Sequence, residues 1–265
     1  MNAASKKAIL IVSFGTSYEN TRKRTIDAIE RDIADAFPVC PAYRAWTSKM
    51  IIAKLKKRDG IIIHTVKEAM EQMLLDGITD VIVQPTHVIN GIENDQMKAD
   101  ALSFRDRFSS IVFGNPLLTT EEDNQAVVQA VAGEFQDMDQ ETALVLMGHG
   151  TEHYANSVYA ALDYRFKDMG HKNIFLGTVE AYPALDSLLR AADSFQPKKI
   201  VLAPFMIVAG DHAQNDLAGA DPDSWMNRLS SEGYEVTPVL KGLGEYPQVR
   251  QILVEHVQQA MNASI

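Results

Sequence analysis

Short apolar runs alternate with helix-period segments along the whole chain. The runs are rich in β-branched residues and occupy residues 7–14, 81–89, 109–114, 142–148, 173–179, 199–208 and 234–240. Segments between them, such as NTRKRTIDAIERDIADAF (20–37) and TVKEAMEQMLLDG (65–77), have the apolar spacing of amphipathic helices, with Gly77 as a natural C-cap. Continuous apolar strands joined by helices favour parallel sheets that are covered by helices on both faces.

Two pairs of segments resemble each other across the chain. They are LIVSFGTSY (10–18) with LVLMGHGTEH (144–153), and VIVQPTHVINGIEND (81–95) with IVLAPFMIVAGDHAQND (200–216). The members of each pair lie close to half the chain apart. The repeat predicts an α/β fold of two similar Rossmann-like domains, each a mostly parallel sheet flanked by helices, related by pseudo-symmetry. We expect these domains to cover residues 1–122 and 123–265, with the break near TTEEDNQ (119–125).

The second copy carries imidazoles where the first has other side chains. His149 stands opposite Phe14, and His212 stands opposite Glu93. Glu180 follows a third predicted strand of the second half. In parallel α/β sheets ligands bind beyond the carboxyl ends of the strands, which is where these three residues fall. Two imidazoles and one carboxylate are a plausible set for a divalent transition metal with open positions, although each residue alone is more often merely solvated.

The remaining histidines have plainer interpretations. His87, in QPTHVING, is predicted to be buried and hydrogen-bonded, whereas His64, His171 and His256 lie in polar contexts typical of a surface. HGTEH (149–153) fits the H-x-x-E-H pattern of one class of zinc protease. That pattern requires a helix, and here it follows a strand and contains a glycine, so we discount it.

The net charge of −10 argues against general affinity for nucleic acid. An anionic ligand would need the one local basic run, RAWTSKMIIAKLKKR (44–58), in which Lys49 and Lys56 would share a helix face. The alternative interpretation of that run is a solvated helix surface.

No G-x-x-x-x-G-K-[ST] motif is present, so nothing in the sequence suggests ATP-driven chemistry.

The sequence also favours a cytoplasmic location. A single cysteine, Cys40, excludes an internal disulfide and a cysteine-based zinc cluster. The N-terminal apolar stretch is about six residues long, too short for the core of a signal peptide or for a membrane span.

Taken together, several motifs resemble the anaerobic (class II) cobalt chelatases, the sirohydrochlorin cobaltochelatases of the cobalamin pathway, which are related to ferrochelatases. The motifs are SFGTS (13–17), WTSKMIIAKLKKRDG (46–60), THVINGIEND (86–95), MGHGTEH (147–153), VEAYP (179–183), MIVAGDHAQNDLAG (206–219) and GLGEYP (242–247). They occur in order and cover most of the chain. Each is weak alone, but the set is specific.

The resemblance implies two α/β domains with an active-site cleft between them. It implies ATP-independent insertion of Co²⁺ into sirohydrochlorin, the oxidation product of precorrin-2, with Fe²⁺ or Ni²⁺ possible in vitro. The family's metal-binding trio maps onto His149, Glu180 and His212. One histidine would accept a pyrrole proton, and we expect His149 to do so because its loop is flexible. The resemblance further implies an assembly of identical chains.

The substrate implied by the resemblance also gives the basic run a purpose. We expect Arg44 and Lys49 to face the cleft and bind substrate carboxylates. Four further cations of the run, Lys54, Lys56, Lys57 and Arg58, would be mainly solvated. Loops of the first half would form the opposite wall of the cleft, contributing Ser13, Gly15 and Glu93.

Two other classes of function use the same residues. One is a metal-dependent hydrolase in which the trio activates a bound water. The other is a carrier that binds a tetrapyrrole or a metal without turnover. The family resemblance favours the chelatase over both.

Overall fold

The computed structural model describes residues 6–192 and 194–263, which form eight strands and ten helices. The strands are β1 (Lys7–Ser13), β2 (Ala42–Trp46), β3 (Asp80–Pro85), β4 (Ser110–Phe113), β5 (Thr142–Gly148), β6 (Ile174–Thr178), β7 (Lys199–Pro204) and β8 (Glu235–Pro238). The helices are α1 (Glu19–Arg24), α2 (Ile26–Ala36), α3 (Lys49–Asp59), α4 (Val66–Leu75), α5 (Ile92–Leu102), α6 (Glu121–Glu134), α7 (Ser157–Asp168), α8 (Leu185–Ala192), α9 (Trp225–Ser231) and α10 (Pro247–Asn262). Within the described ranges, no helix is both long and apolar enough to span a membrane.

The strands form two four-stranded sheets in which every neighbouring pair is parallel. Their orders are β2-β1-β3-β4 and β6-β5-β7-β8. The second order reproduces the first with each strand moved on by four, as the sequence repeat predicts. The predicted class, α/β with two similar parallel sheets flanked by helices, is confirmed.

Burial on both faces explains why most of these strands read as unbroken apolar runs. Every residue of β5 is buried, and so is every residue of β1 except Lys7. Helices supply the covering layers: Met70 and Met97 pack in the core of the first sheet, and Leu188 and Trp225 pack in that of the second.

The apolar-run pattern misses β2 because this strand is short, is interrupted by Arg44 and contains no β-branched residue. It lies at the edge of the first sheet, paired with β1 alone, and only Ala45 and Trp46 are buried.

The helix predicted over residues 20–37 is divided in two at Thr25, whose backbone leaves the helical region (φ −116°, ψ −84°).

The chain divides into two compact units. The first holds the described residues up to Thr119 together with those from Arg250 onward, and the second runs from Thr120 to Val249. Thr120 begins the second unit as the N-cap of α6, in a capping box that it forms with Asp123. The division therefore lies close to the predicted break between residues 122 and 123. The assignment of residues 250–265 differs, because the sequence places them with the second domain.

Long-range packing explains the return of the C-terminal segment to the first unit. The side chain of Arg250 approaches a carboxylate oxygen of Asp32 to 2.5 Å. His256 is fully buried, and its Nδ1 lies 2.9 Å from the carbonyl oxygen of Asn115. The expectation of a surface histidine at 256 was therefore wrong. Its polar neighbours in sequence lie on the exposed side of α10, while the ring faces inward.

Replacement of Leu253 by alanine should destabilise the protein, since this side chain of α10 is fully buried. We expect the free energy of unfolding to fall by about 2–5 kcal/mol, as is typical for a buried leucine truncated to alanine. Chemical denaturation measures the change. Gln259→Ala, on the exposed side of the same helix, should stay within about 0.5 kcal/mol of the parent. Equal effects of the two substitutions would contradict the packing of α10.

Candidate metal centre

Three adjacent strands of the second unit deliver the predicted metal ligands to one edge of the sheet. His149 follows β5 directly, Glu180 lies two residues beyond β6, and His212 lies on the longer loop after β7. The strand order β6-β5-β7 puts the strand that carries His149 between the other two. Because all three strands are parallel, their carboxyl ends meet at the same edge.

The three side chains meet there in space. One ligand atom from each of His149, Glu180 and His212 lies within 4.8 Å of the others. A carboxylate oxygen of Glu180 is 3.6 Å from Nδ1 of His149, and the other is 3.9 Å from Nε2 of His212. The two imidazole rings stand nearly perpendicular, with centroids 4.6 Å apart. The side chains of His149, Glu180 and His212 are 44%, 51% and 33% exposed, respectively, so an ion in solution can reach all three.

Backbone hydrogen bonds continue the β5–β6 pairing beyond the strand ends. The N–H of Val179 donates to the carbonyl of Gly148 at 3.0 Å, and that of Glu180 donates to the carbonyl of His149 at 2.9 Å. These two bonds fix the separation of the His149 and Glu180 backbones, and so bring the two side chains close to each other.

Glycines permit this close approach. Gly150 has φ +85°, and a Cβ on it would lie 2.9 Å from the backbone nitrogen and the Cβ of Ala181. A Cβ on Gly148 would come within 2.6 Å of the Tyr159 ring. The GHG sequence is therefore required by the geometry of the loop as well as by its chemistry.

Each histidine of the trio also has a hydrogen-bond partner at Nδ1. For His149 this partner is the carbonyl oxygen of Gly150, at 2.8 Å. For His212 it is a carboxylate oxygen of Asp216, also at 2.8 Å. Sequence reasoning missed Asp216. The only available signal was its position four residues after His212, a spacing that places two residues on one side of a helical turn.

The other histidines of the second half lie outside the trio. His153 is held by its own loop, where its Nδ1 accepts a hydrogen bond from the N–H of Ala155 at 3.2 Å. It caps a short 3₁₀ turn, Tyr154–Asn156, and the H-x-x-E-H segment is not a continuous helix. This arrangement removes the basis for a zinc-protease motif.

In the first unit, the residues equivalent to the trio carry no such cluster. Phe14 is 43% exposed at the position of His149, and Glu93 is an exposed residue in the first turn of α5. Ser13 is buried and its hydroxyl accepts a hydrogen bond from Thr86 at 2.9 Å. Gly15 has φ +106°, with the Trp46 ring where a Cβ would lie.

The prediction for His87 holds only in part. The residue is buried, and that burial lowers the pKa of its imidazole to about 4, although the nearby Asn94 side chain opposes the shift. Neither ring nitrogen has a hydrogen bond of normal geometry to a described residue. His87 is therefore neutral at physiological pH.

The two leading cations of the basic run have different surroundings. Nε of Arg44 donates to both carboxylate oxygens of Glu30, at 2.8 and 2.9 Å, and its Nη2 lies 2.5 Å from Asp27. Its charge is offset by two carboxylates. Lys49, in contrast, makes no ion pair with any described residue.

Lys49 lines a groove of about 240 Å³ between α3 and the start of α4. The groove has an apolar floor with Lys49 and Lys56 on one wall, as expected for residues seven apart on one helix face. Its lining residues are Lys49, Ile52, Ala53, Lys56, Ile62, Ile63, His64, Thr65 and Glu68. Glu68, which forms a capping box with Thr65, is the one carboxylate among these lining residues, so the two lysines leave the groove with net positive charge.

Comparison with known proteins identifies the family. A family model described as cobalt chelatase (CbiK) matches residues 7–262. The chain belongs to the cobalt chelatase (CbiK) family. A sirohydrochlorin cobaltochelatase of Salmonella typhimurium is 40% identical over 98% of both chains. The sirohydrochlorin cobaltochelatase CbiKC of Nitratidesulfovibrio vulgaris is 31% identical over 98% of this chain and 92% of its own.

Solved structures of more distant chelatases share the fold. SirB from Bacillus subtilis, solved with Fe³⁺, covers 98% of this chain with a TM-score of 0.65 at 14% identity, and this chain covers 97% of it. The sirohydrochlorin chelatase SirB of Bacillus subtilis subspecies spizizenii, in complex with cobalt, gives a TM-score of 0.64 at 14% identity over the same shares. At 14% identity the likeness shows the fold alone.

Substitution of Gly150 by alanine should weaken Co²⁺ binding at the trio. The new Cβ would press on Ala181 and displace the loop that holds His149 against Glu180. Isothermal titration calorimetry with Co²⁺ measures the loss, which we expect to be at least about tenfold.

Gly170→Ala is the matched control for this experiment. Gly170 also has positive φ (+94°), but nothing lies within 4 Å of the position of a Cβ. It should carry only the backbone cost of about 1–2 kcal/mol and leave Co²⁺ affinity unchanged. Unaltered Co²⁺ affinity in Gly150→Ala would show that the loop does not depend on this glycine.

Proposed function

We propose that this protein inserts Co²⁺ into sirohydrochlorin without ATP, with His149, Glu180 and His212 holding the incoming ion. The observation that carries this proposal is the convergence of the three ligand atoms within 4.8 Å in a member of the cobalt chelatase family. The relatives from Salmonella typhimurium and Nitratidesulfovibrio vulgaris are named for the same reaction. The metal is a substrate of this reaction, and the trio holds it only in passing.

The donor set suits a transfer reaction. Insertion removes two pyrrole protons and replaces the ligands of the metal stepwise by ring nitrogens. Imidazole nitrogens bind Co²⁺ well enough to capture it, and the trio contains no thiolate that would retain it more firmly. Partial exposure of all three side chains lets the ion enter from solution and leave for the macrocycle.

We assign the acceptance of a pyrrole proton to His149. Its Nδ1 is hydrogen-bonded only to an uncharged partner, the carbonyl of the next residue. His212 is hydrogen-bonded to the carboxylate of Asp216, which lies on the short turn that His212 begins, and is the more firmly held of the two rings. A neutral imidazole has a free ring nitrogen that can take up such a proton.

We propose that Lys49 and the neighbouring Lys56, and not Arg44, bind the carboxylates of sirohydrochlorin. An acidic protein needs unpaired local cations to bind a polycarboxylate. The two lysines are unpaired within the described chain and share one groove, whereas Arg44 is neutralised by Glu30 and Asp27. Ser13, Gly15 and Glu93 keep their proposed place in the tetrapyrrole site as the loops of the first unit.

The finer expectations stay predictions. They are a cytoplasmic location, an assembly of identical chains, and turnover of Fe²⁺ or Ni²⁺ in vitro. Irving–Williams affinities do not favour Co²⁺ over Ni²⁺ at such a site, so the preference for cobalt would depend on metal supply.

Replacement of either histidine of the trio by alanine should abolish insertion. The assay is the anaerobic absorbance change of sirohydrochlorin with Co²⁺, comparing the parent with His149→Ala and His212→Ala. We expect the parent to accelerate formation of the cobalt-ring spectrum and both variants to lose at least about 99% of this rate. His171→Ala, which lies outside the trio, is the control and should retain activity.

Two results would argue against the chelatase. A parent protein that binds sirohydrochlorin without accelerating insertion would be a carrier. No spectral response at all would direct attention to a metal-dependent hydrolase.

Lys49→Ala should raise the KM for sirohydrochlorin several-fold while kcat changes little, because the lysine is proposed to bind the substrate and not the reacting metal. The difference in KM should shrink as salt screens the attraction. Lys57→Ala is the matched control, since this lysine lies on the same helix but outside the groove. Equal KM values for Lys49→Ala and the parent would exclude the groove as a carboxylate site.

A further inference from the structure

Asp216 and Glu180 lie near different nitrogens of the His212 ring. A carboxylate oxygen of Asp216 is 2.8 Å from Nδ1, while the other ring nitrogen, Nε2, is 3.9 Å from Glu180. A carboxylate can only accept a hydrogen bond, so Nδ1 must carry the proton. A neutral His212 therefore presents the lone pair of Nε2 to the centre of the trio.

We propose that Asp216 is a positioning residue that holds His212 in the Nδ1–H tautomer, with Nε2 directed at the metal. It does not touch the ion and acts only through the imidazole. Histidines that bind metals commonly donate their other ring N–H to a carboxylate, which fixes both the tautomer and the ring orientation. This inference rests on the proposed function for the identity of the ion, but the hydrogen bond itself does not.

The local fold makes this contact a built feature and not a chance meeting of two surface side chains. His212 begins a short π-helical turn, Ala213–Leu217, in which Asp216 is the fourth residue. Ala213 and Leu217 are fully buried and anchor the turn. Their burial leaves His212 and Asp216, four residues apart, on the accessible side. Turns of this kind are frequent at functional sites.

Closure of the turn depends on a close backbone approach. The N–H of Gly219 donates to the carbonyl of Asn215 at 3.0 Å, and a Cβ on Gly219 would lie 2.2 Å from that oxygen. The turn that carries Asp216 is thus fixed at both ends, by the buried Ala213 at its start and by this contact at its end.

The two histidines of the trio are consequently held in different ways. Nδ1 of His149 bonds to a neutral carbonyl within its own glycine loop, whereas Nδ1 of His212 bonds to a charged carboxylate on an anchored turn. A carboxylate acceptor gives the stronger hydrogen bond and the better fixed ring. Asp216 therefore makes His212 the more firmly positioned of the two imidazole ligands.

The test compares Asp216→Ala and Asp216→Asn with the parent protein. The first readout is the tautomer of His212 in the metal-free protein, from long-range ¹H–¹⁵N correlation spectra at a pH where the ring is neutral. We expect the Nδ1–H tautomer in the parent and its loss in Asp216→Ala. Asparagine keeps an acceptor oxygen without the charge, so Asp216→Asn should retain the Nδ1–H tautomer.

The second readout is Co²⁺ affinity by calorimetry. Affinity should fall about 10- to 100-fold in Asp216→Ala, the range typical of losing such a partner, and less in Asp216→Asn. Glu152→Ala is the matched control. It removes an exposed carboxylate from the loop of His149 that contacts neither ring of the trio, and it should leave both readouts unchanged.

Three results would overturn the proposal: an Nδ1–H tautomer that persists in Asp216→Ala, Co²⁺ affinity in that variant equal to the parent's, or equal losses of affinity in both variants while Asp216→Asn keeps the tautomer. The last would mean that the charge of Asp216 attracts the ion and that positioning is not its role. A parent protein that binds no Co²⁺ at the trio would defeat the proposed function instead, and the metal-free tautomer spectra would still decide the role of Asp216.

Discussion

The parallel pairing of β5 with both β6 and β7 is the constraint on which the candidate metal centre depends. Gly148 pairs with Thr178, and Met147 pairs with Pro204, so the three strands end at nearly the same level. A slip of one residue would turn every side chain of the strand to the other face of the sheet and shift the strand ends relative to one another. Burial on both faces opposes such a slip, because each apolar side chain would have to repack against the helices of the opposite layer. Precision at the metal centre therefore derives from apolar burial in the sheet.

The first unit shows what the same scaffold does without this chemistry. Gly15 and Gly150 both adopt positive φ after the first strand of their sheet, and each lies against another side chain that leaves no room for a Cβ. The close loop is thus a property of the repeated scaffold. The preceding residue differs between the two: Phe14 is an exposed apolar side chain, while His149 belongs to the candidate metal centre. The same loop geometry thus occurs twice, and the imidazoles occur in one copy.

Features that depend on a local pattern could be predicted from the sequence, whereas features that depend on contacts made in the fold could not. Strands buried on both faces appear in the sequence as unbroken apolar runs, so most of them, and the three residues at their ends, could be predicted. Partnerships between distant residues were not. Arg44 stands in a basic run, yet Glu30 and Asp27, its partners, lie on the preceding helix. His256 looks solvated among polar neighbours, and only the packing of α10 shows that it is buried. Asp216 is one of many carboxylates in the sequence, and only its contact with His212 in the fold suggests the proposed positioning role.

A centre that passes its ion on must hold it unevenly. If both imidazoles were anchored with equal strength, the macrocycle would have to displace two fixed ligands at once. Here Nδ1 of His212 is bonded to a carboxylate on an anchored turn, whereas Nδ1 of His149 is bonded to a neutral backbone carbonyl. Stepwise replacement by ring nitrogens is easier when the first protein ligand to leave is the less firmly held one. Under the proposed function, we therefore expect His149 to release the metal first and to accept a proton, and His212 to hold the metal until the macrocycle has bound it.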